Sequence, residues 1–80
     1  MENIDILMAT YNGEKYVRAQ IESIIKQSYK NFRLLISDDC SKDGTRKILE
    51  EYSQKDNRIL IFFQEKNLGV VKNFEFLCNI

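Results

Sequence analysis

Phe32-Arg33-Leu34-Leu35-Ile36-Ser37 runs directly into Asp38-Asp39-Cys40-Ser41. The first six residues read as a strand, and the acidic pair ends it abruptly. Upstream, Ser28 to Asn31 is a polar break, preceded by a helical segment from Glu14 to Gln27. There Val17, Ile21, Ile24 and Ile25 fall on one face, while Arg18, Gln20, Glu22 and Lys26 fall elsewhere. Asn12 is the expected N-cap of that helix. Earlier still, the apolar stretch Ile4-Asp5-Ile6-Leu7-Met8 gives way to Thr10-Tyr11-Asn12-Gly13, a strand and then a loop.

Downstream of the acidic pair the pattern repeats. Ser41 or Asp43 is placed to cap a helix carrying Ile48, Leu49 and Tyr52 on one side. Ser53 to Asn57 is a polar loop, and Arg58 to Gln64 is a third strand rich in β-formers. Asn67-Leu68-Gly69 forms a turn, and Val70 to Asn79 reads as a helix packing Val71, Phe74, Leu77 and Cys78. The order βαβαβα implies an α/β fold with a parallel sheet and helical crossovers. No linker or repeat divides residues 1–80. The last helix meets no stop signal, and three strands leave edges and faces without partners, so the chain is expected to be part of a larger domain.

Bulk properties narrow the function. Eighty residues make one small domain or a piece of one, with marginal stability expected of so short a chain. Apolar residues are 44% and charged residues 30%, with no proline, which argues against disorder. Twelve Lys and Arg balance twelve Asp and Glu, so no basic field exists to hold nucleic acid. Two cysteines, Cys40 and Cys78, make neither a disulfide framework nor a metal cluster. With no histidine, zinc sites and histidine-based acid/base schemes are excluded. The apolar run Ile59 to Phe63 is far shorter than a membrane span, and the first five residues lack the features of a signal peptide. A reduced, cytosolic setting is the expectation.

In open parallel sheets, ligands gather beyond the carboxyl ends of the strands. Three clusters fall there: Thr10-Tyr11-Asn12-Gly13-Glu14, Asp38-Asp39-Cys40-Ser41 and Asn67-Leu68-Gly69. Tyr11 offers a ring on which a base can stack. A carboxylate at Asp39 can accept from an imide N–H such as that of uracil or thymine, and Thr10 and Glu14 are candidates for a ribose hydroxyl. Taken singly, Asn12, Ser41 and Asp43 serve equally well as helix caps, Gly44 as a turn residue, Tyr11 as a half-buried aromatic and Asp38-Asp39 as a solvated loop. Their joint placement is what favours a binding site. Neither a Gly-x-Gly-x-x-Gly nor a Gly-Lys-Ser loop occurs, which disfavours Rossmann and P-loop sites.

Two competing motifs fail on context. Asp39-x-Ser41-x-Asp43-Gly44 with Glu50 has the spacing of a calcium-binding EF-hand loop, but a strand precedes it where a helix is needed. Arg46 also stands where that loop expects an apolar residue. A receiver-type signalling domain would carry its acidic pair after the first strand, which here ends in Met8-Ala9-Thr10.

Together these segments resemble family 2 glycosyltransferases of the GT-A fold. The resemblance covers the whole chain: Ile4 to Gly13, then Gln27-Ser28-Tyr29, then Asp38-Asp39-Cys40-Ser41-Lys42-Asp43-Gly44-Thr45, then Asn67-Leu68-Gly69. It implies that this half of the fold binds the nucleotide of a sugar donor. Thr10 and Tyr11 match residues that contact base and ribose, Glu14 one that reaches the ribose, and Asp39 the carboxylate that reads the N3–H of uracil or thymine. Lys72 lies near a basic donor-site position, and Asn12 and Ser41 complete the candidate set. Gln27-Ser28-Tyr29 matches a structural signature that closes the first helix.

The tail Asn67 to Phe74 resembles the subset that builds bacterial surface polysaccharides, including rhamnosyltransferases. That subset implies a dTDP- or UDP-sugar donor, with dTDP-rhamnose favoured, and a saccharide or lipid-linked acceptor. It also implies peripheral membrane association at the cytoplasmic face. The Mg²⁺ or Mn²⁺ ion of the family is held by an Asp-x-Asp motif, expected beyond Ile80. The base that deprotonates the acceptor is not encoded in these residues either. Inverting transfer needs both groups. The intact parent is therefore expected to be a transferase, and these 80 residues alone a non-catalytic nucleotide-binding half or an inactive truncated product.

Overall fold

The computed structural model describes residues 4–27 and 30–79. It contains β1 (Ile4–Thr10), α1 (Val17–Ile25), β2 (Phe32–Asp38), α2 (Thr45–Lys55), β3 (Ile59–Phe63) and α3 (Val70–Cys78). The strands form one parallel sheet in the order β1-β2-β3. The α/β, parallel βαβαβα architecture expected from the sequence is the one observed. Ser28 and Tyr29 of the Gln27-Ser28-Tyr29 signature lie outside the described residues. No helix among the described residues is long and apolar enough to cross a membrane.

The central strand β2 carries both layers of the fold. Phe32, Leu34 and Ile36 alternate onto one face, where they join Val17 and Ile21 of α1, Leu49 and Tyr52 of α2, and Ile59 of β3 in a buried core. Arg33, Leu35 and Ser37 occupy the opposite face, and Ser37 meets α3 there. Register aligns Ile4 with Phe32 and Thr10 with Asp38, so the first two strands end together. On the other side Asp38 pairs with Phe63, the last residue of β3.

Three local expectations are corrected. Asn12 does not cap α1, which begins at Val17: Asn12 has φ +48°, and its side-chain oxygen accepts the Lys42 N–H at 2.8 Å. A turn closed by the Gly13 carbonyl, taking the N–H groups of Tyr16 and Val17, leads into the helix instead. Ser41 does not cap α2. Asp43, one residue before the N-cap position Gly44, accepts the Thr45 N–H at 3.0 Å and its hydroxyl at 2.5 Å.

The third correction concerns the face of α3. Asn73 and Leu77 point to the sheet, while Val70, Val71, Phe74 and Cys78 are exposed. The reason is Ser37, whose buried hydroxyl and carbonyl require polar partners. The Asn73 amide supplies both: Oδ1 accepts the Ser37 hydroxyl at 2.5 Å, and Nδ2 donates to the Ser37 carbonyl at 3.0 Å. An apolar row of Val71 and Phe74 turned inward would take away the acceptor of the Ser37 hydroxyl proton, although its oxygen would still accept from the Gln64 amide at 3.0 Å. Phe76 adds an edge-to-face contact with Phe62, the ring centroids 5.5 Å apart.

The entry to β3 is fixed by an ion pair with a defined pH signature. The Arg58 guanidinium lies 4.3 Å from the Phe32 ring and forks onto Asp56, with Nε and Nη2 donating at 3.0 and 2.7 Å. These bonds, helped by the Arg58 backbone N–H, hold the Asp56 carboxyl below its ordinary value despite partial burial. A carboxyl whose folded pKa is depressed stabilises the fold above its unfolded pKa and loses that contribution as pH falls through the folded value. Urea midpoints measured from pH 6 downward are therefore expected to fall as the solution becomes more acid than about pH 4. The Asp56→Asn variant should show a shallower acid limb, and identical limbs would remove the pair from the account.

Candidate nucleotide site

At the carboxyl edge of the sheet, the loops after β1 and β2 are laced together by side chain to backbone bonds. The Asn12 N–H donates to Ser41 Oγ at 2.8 Å. In return the Asn12 side chain takes the Lys42 N–H. Glu14 Oε1 accepts the Gly44 N–H at 2.9 Å, and Asp43 Oδ2 accepts the Glu14 N–H at 3.2 Å. The Thr45 hydroxyl, with the N–H groups of Thr45 and Glu14, holds the Asp43 carboxyl below the usual carboxylate range. Gly44 is more than a turn residue: a Cβ there would come within 2.9 Å of the Glu14 carboxyl carbon, so glycine gives Glu14 its seat.

Two buried carboxylates do different work. Asp38, 1% exposed, accepts the hydroxyls of Thr10 and Ser41 on Oδ1 at 2.7 and 2.6 Å, and the Ser41 N–H on Oδ2 at 3.0 Å. Asp39, 2% exposed, grips the third loop by accepting the N–H groups of Leu68 and Gly69 at 2.5 and 2.9 Å. Gly69 has φ +89° and ψ 159°, a combination open almost only to glycine. No heavy atom lies within 4 Å of where its Cβ would be, so backbone geometry, rather than crowding, requires glycine there. Cys40, at φ +60°, supplies the turn that separates the two carboxylates from Ser41.

Between these loops and α3 lies a cavity of about 240 Å³, lined by Ala9, Thr10, Tyr11, Asp39, Val70 and Asn73. Of the seven residues expected at the site, the structure brings Thr10, Tyr11 and Asp39 to it. Asn12, Glu14 and Ser41 instead tie the loops together, with their polar atoms engaged as above. Lys72 is exposed on the first turn of α3 and does not line the cavity. Tyr11 is 48% exposed, its ring open to a stacking partner.

Asn73 and Asp38 were not in the expected set. For Asn73 a signal was present: an amide one turn before Leu77 on a helix otherwise apolar at its facing positions. Asp38 gave none that separates it from Asp39, since both lie at the strand end.

The acidic groups are not arranged for a metal. Asp38, Asp39 and Asp43 are each committed to N–H or O–H donors, and no group of three or more Asp, Glu, Cys or His able to hold an ion occurs among the described residues. The Mg²⁺ or Mn²⁺ implied by the resemblance is expected on an Asp-x-Asp motif beyond Ile80, not on these carboxylates.

A family model described as Glycosyl transferase family 2 matches residues 5–79. The candidate teichuronic acid biosynthesis glycosyltransferase TuaG of Bacillus subtilis (strain 168) is 36% identical over 66 residues, covering 82% of this chain and 26% of TuaG. Among solved structures, S. aureus TarS 1-349 in complex with UDP-GlcNAc aligns with a TM-score of 0.72 at 35% identity, over 84% of this chain and 19% of that one. The mannosyltransferase PcManGT from Pyrobaculum calidifontis, in complex with GDP-Man and Mn²⁺, reaches a TM-score of 0.84 over 95% of this chain and 23% of that one. Its 15% identity supports the shared fold alone. The chain thus spans 26% of TuaG and smaller shares of these two structures.

Proposed function

This chain belongs to glycosyl transferase family 2 and has the GT-A architecture, and from that premise we propose that its cavity holds the nucleoside of a nucleotide-diphosphate sugar. The observation that carries the reading is one cavity, at the carboxyl ends of parallel strands, that joins a half-exposed tyrosine ring to a buried carboxylate. The ring stacks a base. The carboxylate accepts from an imide N–H, which favours uracil or thymine. The likeness to TarS, solved with UDP-GlcNAc, supports a uridine donor, and dTDP-rhamnose is the alternative donor to test beside it.

In the intact protein this half positions the donor for inverting transfer of its sugar to a saccharide or lipid-linked acceptor. The likeness to TuaG supports a cell-surface polymer as that acceptor, reached by peripheral association with the membrane. Lys72, beside the cavity residue Asn73 in sequence, is the candidate to face the diphosphate. No step of this proposal runs through a metal.

Calorimetric titration with UDP and dTDP, with and without Mn²⁺, tests the site. Saturable binding is expected for at least one of them. The Tyr11→Ala variant should weaken it by about 1–3 kcal/mol, the range for loss of a base–aromatic stack. A folded protein that binds no nucleoside diphosphate would overturn the reading.

A further inference from the structure

The polar atoms of the cavity differ in what they can still offer. A hydroxyl has one proton to give, and Thr10 gives it to Asp38 Oδ1 at 2.7 Å. The Ser41 hydroxyl, which accepts the Asn12 N–H, gives its own proton to the same oxygen. Three donors thus converge on Asp38, and the direction of each bond is fixed by what the carboxylate can accept. Thr10 lines the cavity, and with its proton given to Asp38 its Oγ1 retains lone pairs only. Asp39, as a carboxylate, likewise only accepts. The Asn73 amide accepts from the Ser37 hydroxyl and donates one of its two N–H groups to the Ser37 carbonyl, so it keeps a donor, while its oxygen is already shared.

The geometry points to Asp38 as a positioning residue: without lining the cavity, it fixes the Thr10 hydroxyl as an acceptor, so the place beside Thr10 takes only a hydrogen-bond-donating group of the nucleoside. This deepens the nucleotide reading above and rests on it. The donor can be a ribose hydroxyl or, shared with Asp39, the one imide N–H of the base, and the common chemistry is a proton aimed at Thr10 Oγ1. A ligand presenting a lone pair there would set two acceptors against each other where little water can intervene, since Thr10 is 7% exposed. Specificity at this position therefore comes from a residue that touches Thr10 and not the ligand.

The test pairs ligand changes with protein changes. UDP, CDP, 2′-deoxy-UDP and 3′-deoxy-UDP are titrated into wild type, Thr10→Ser and Thr10→Val, with circular dichroism checking each fold. CDP exchanges the N3–H for a lone pair, and each deoxy analogue removes one ribose O–H. Wild type and Thr10→Ser should bind UDP about tenfold more tightly than at least one analogue. Thr10→Val should lose that preference while binding the same analogue as wild type does. Loss of the CDP preference assigns the base edge, and loss of a deoxy preference assigns the sugar.

Equal weakening of all four ligands by Thr10→Val overturns the inference. Absence of binding by wild type to any of the four overturns the nucleotide reading itself, so the two failures are distinct. Asp38's part is read in the wild-type protein by NMR. The Thr10 hydroxyl proton should remain a protected signal both free and with UDP bound, and its loss on binding would show that the proton had turned to the ligand.

Discussion

Asp38→Ala is expected to lower the unfolding free energy by about 3–5 kcal/mol, the range for removing one partner of a buried charged network. The variant strips the acceptor from two hydroxyls and one backbone N–H at once, in a place where Thr10 is almost wholly buried. Each of those bonds to a charged group is worth about 1.5–3 kcal/mol, and they are not additive because Thr10 and Ser41 share one oxygen. An 80-residue chain has roughly 4–12 kcal/mol in total, so the loss is a large part of its stability. Urea titration followed by circular dichroism reads the effect as a lower midpoint at unchanged slope. Adding Thr10→Val should recover part of the loss, because one of the orphaned hydroxyls is then gone. A loss under about 1 kcal/mol would mean that water or rearrangement satisfies these donors, and that Asp38 is not the hub assigned to it.

Asp39→Ala should have the largest effect on ligand affinity, weakening UDP by roughly 30- to 1000-fold, equivalent to about 2–4 kcal/mol. Two losses combine. The cavity loses its carboxylate, and the loop before α3 loses the acceptor for the Leu68 and Gly69 N–H groups. Hydrogen exchange separates them: faster exchange at Leu68 and Gly69 reports the loop, while calorimetry reports the site. The Asp39→Asn variant sharpens the comparison, since its amide can accept one of those N–H groups but presents donors where the carboxylate accepted two. UDP affinity within threefold of wild type, in an Asp39→Ala protein of native circular dichroism, would remove Asp39 from the site.

The fold was legible because its deciding signals are local. The run from Phe32 to Ser37, the spacing of Val17, Ile21, Ile24 and Ile25, and the polar breaks between them define elements that tertiary packing then confirms. The face of α3 was not legible. Counting apolar residues put Val71 and Phe74 inward, whereas one buried hydroxyl on β2 demanded Asn73. Such a demand appears only when Ser37 and Asn73, far apart in sequence, are seen to face one another.

The site divided along the same line. Thr10, Tyr11 and Asp39, expected from their place at the strand ends, line the cavity. Asn12, Glu14 and Ser41 carry the same donor and acceptor types but spend them on neighbouring loops. Residue type alone does not distinguish an amide that meets a ligand from one that meets a backbone. Nor does it separate Asp38 from Asp39, which alternate to different partners simply because one ends the strand and the other follows it.

The bonds that lace the three loops also set when the site can form. Six of them, through Asn12, Glu14, Ser41, Asp43 and Asp39, each join residues 29 or 30 positions apart. Closing a loop of that length is entropically costly, and an isolated hydrogen bond does not offset it. The strands must first come into register and bring their ends together, so the cavity is assembled late along the folding route. Substitutions among these loop residues should then chiefly hasten unfolding, whereas those in the core beneath Leu34 and Ile36 also slow folding. A polypeptide emerging from synthesis would in that case own its sheet before it owns the cavity.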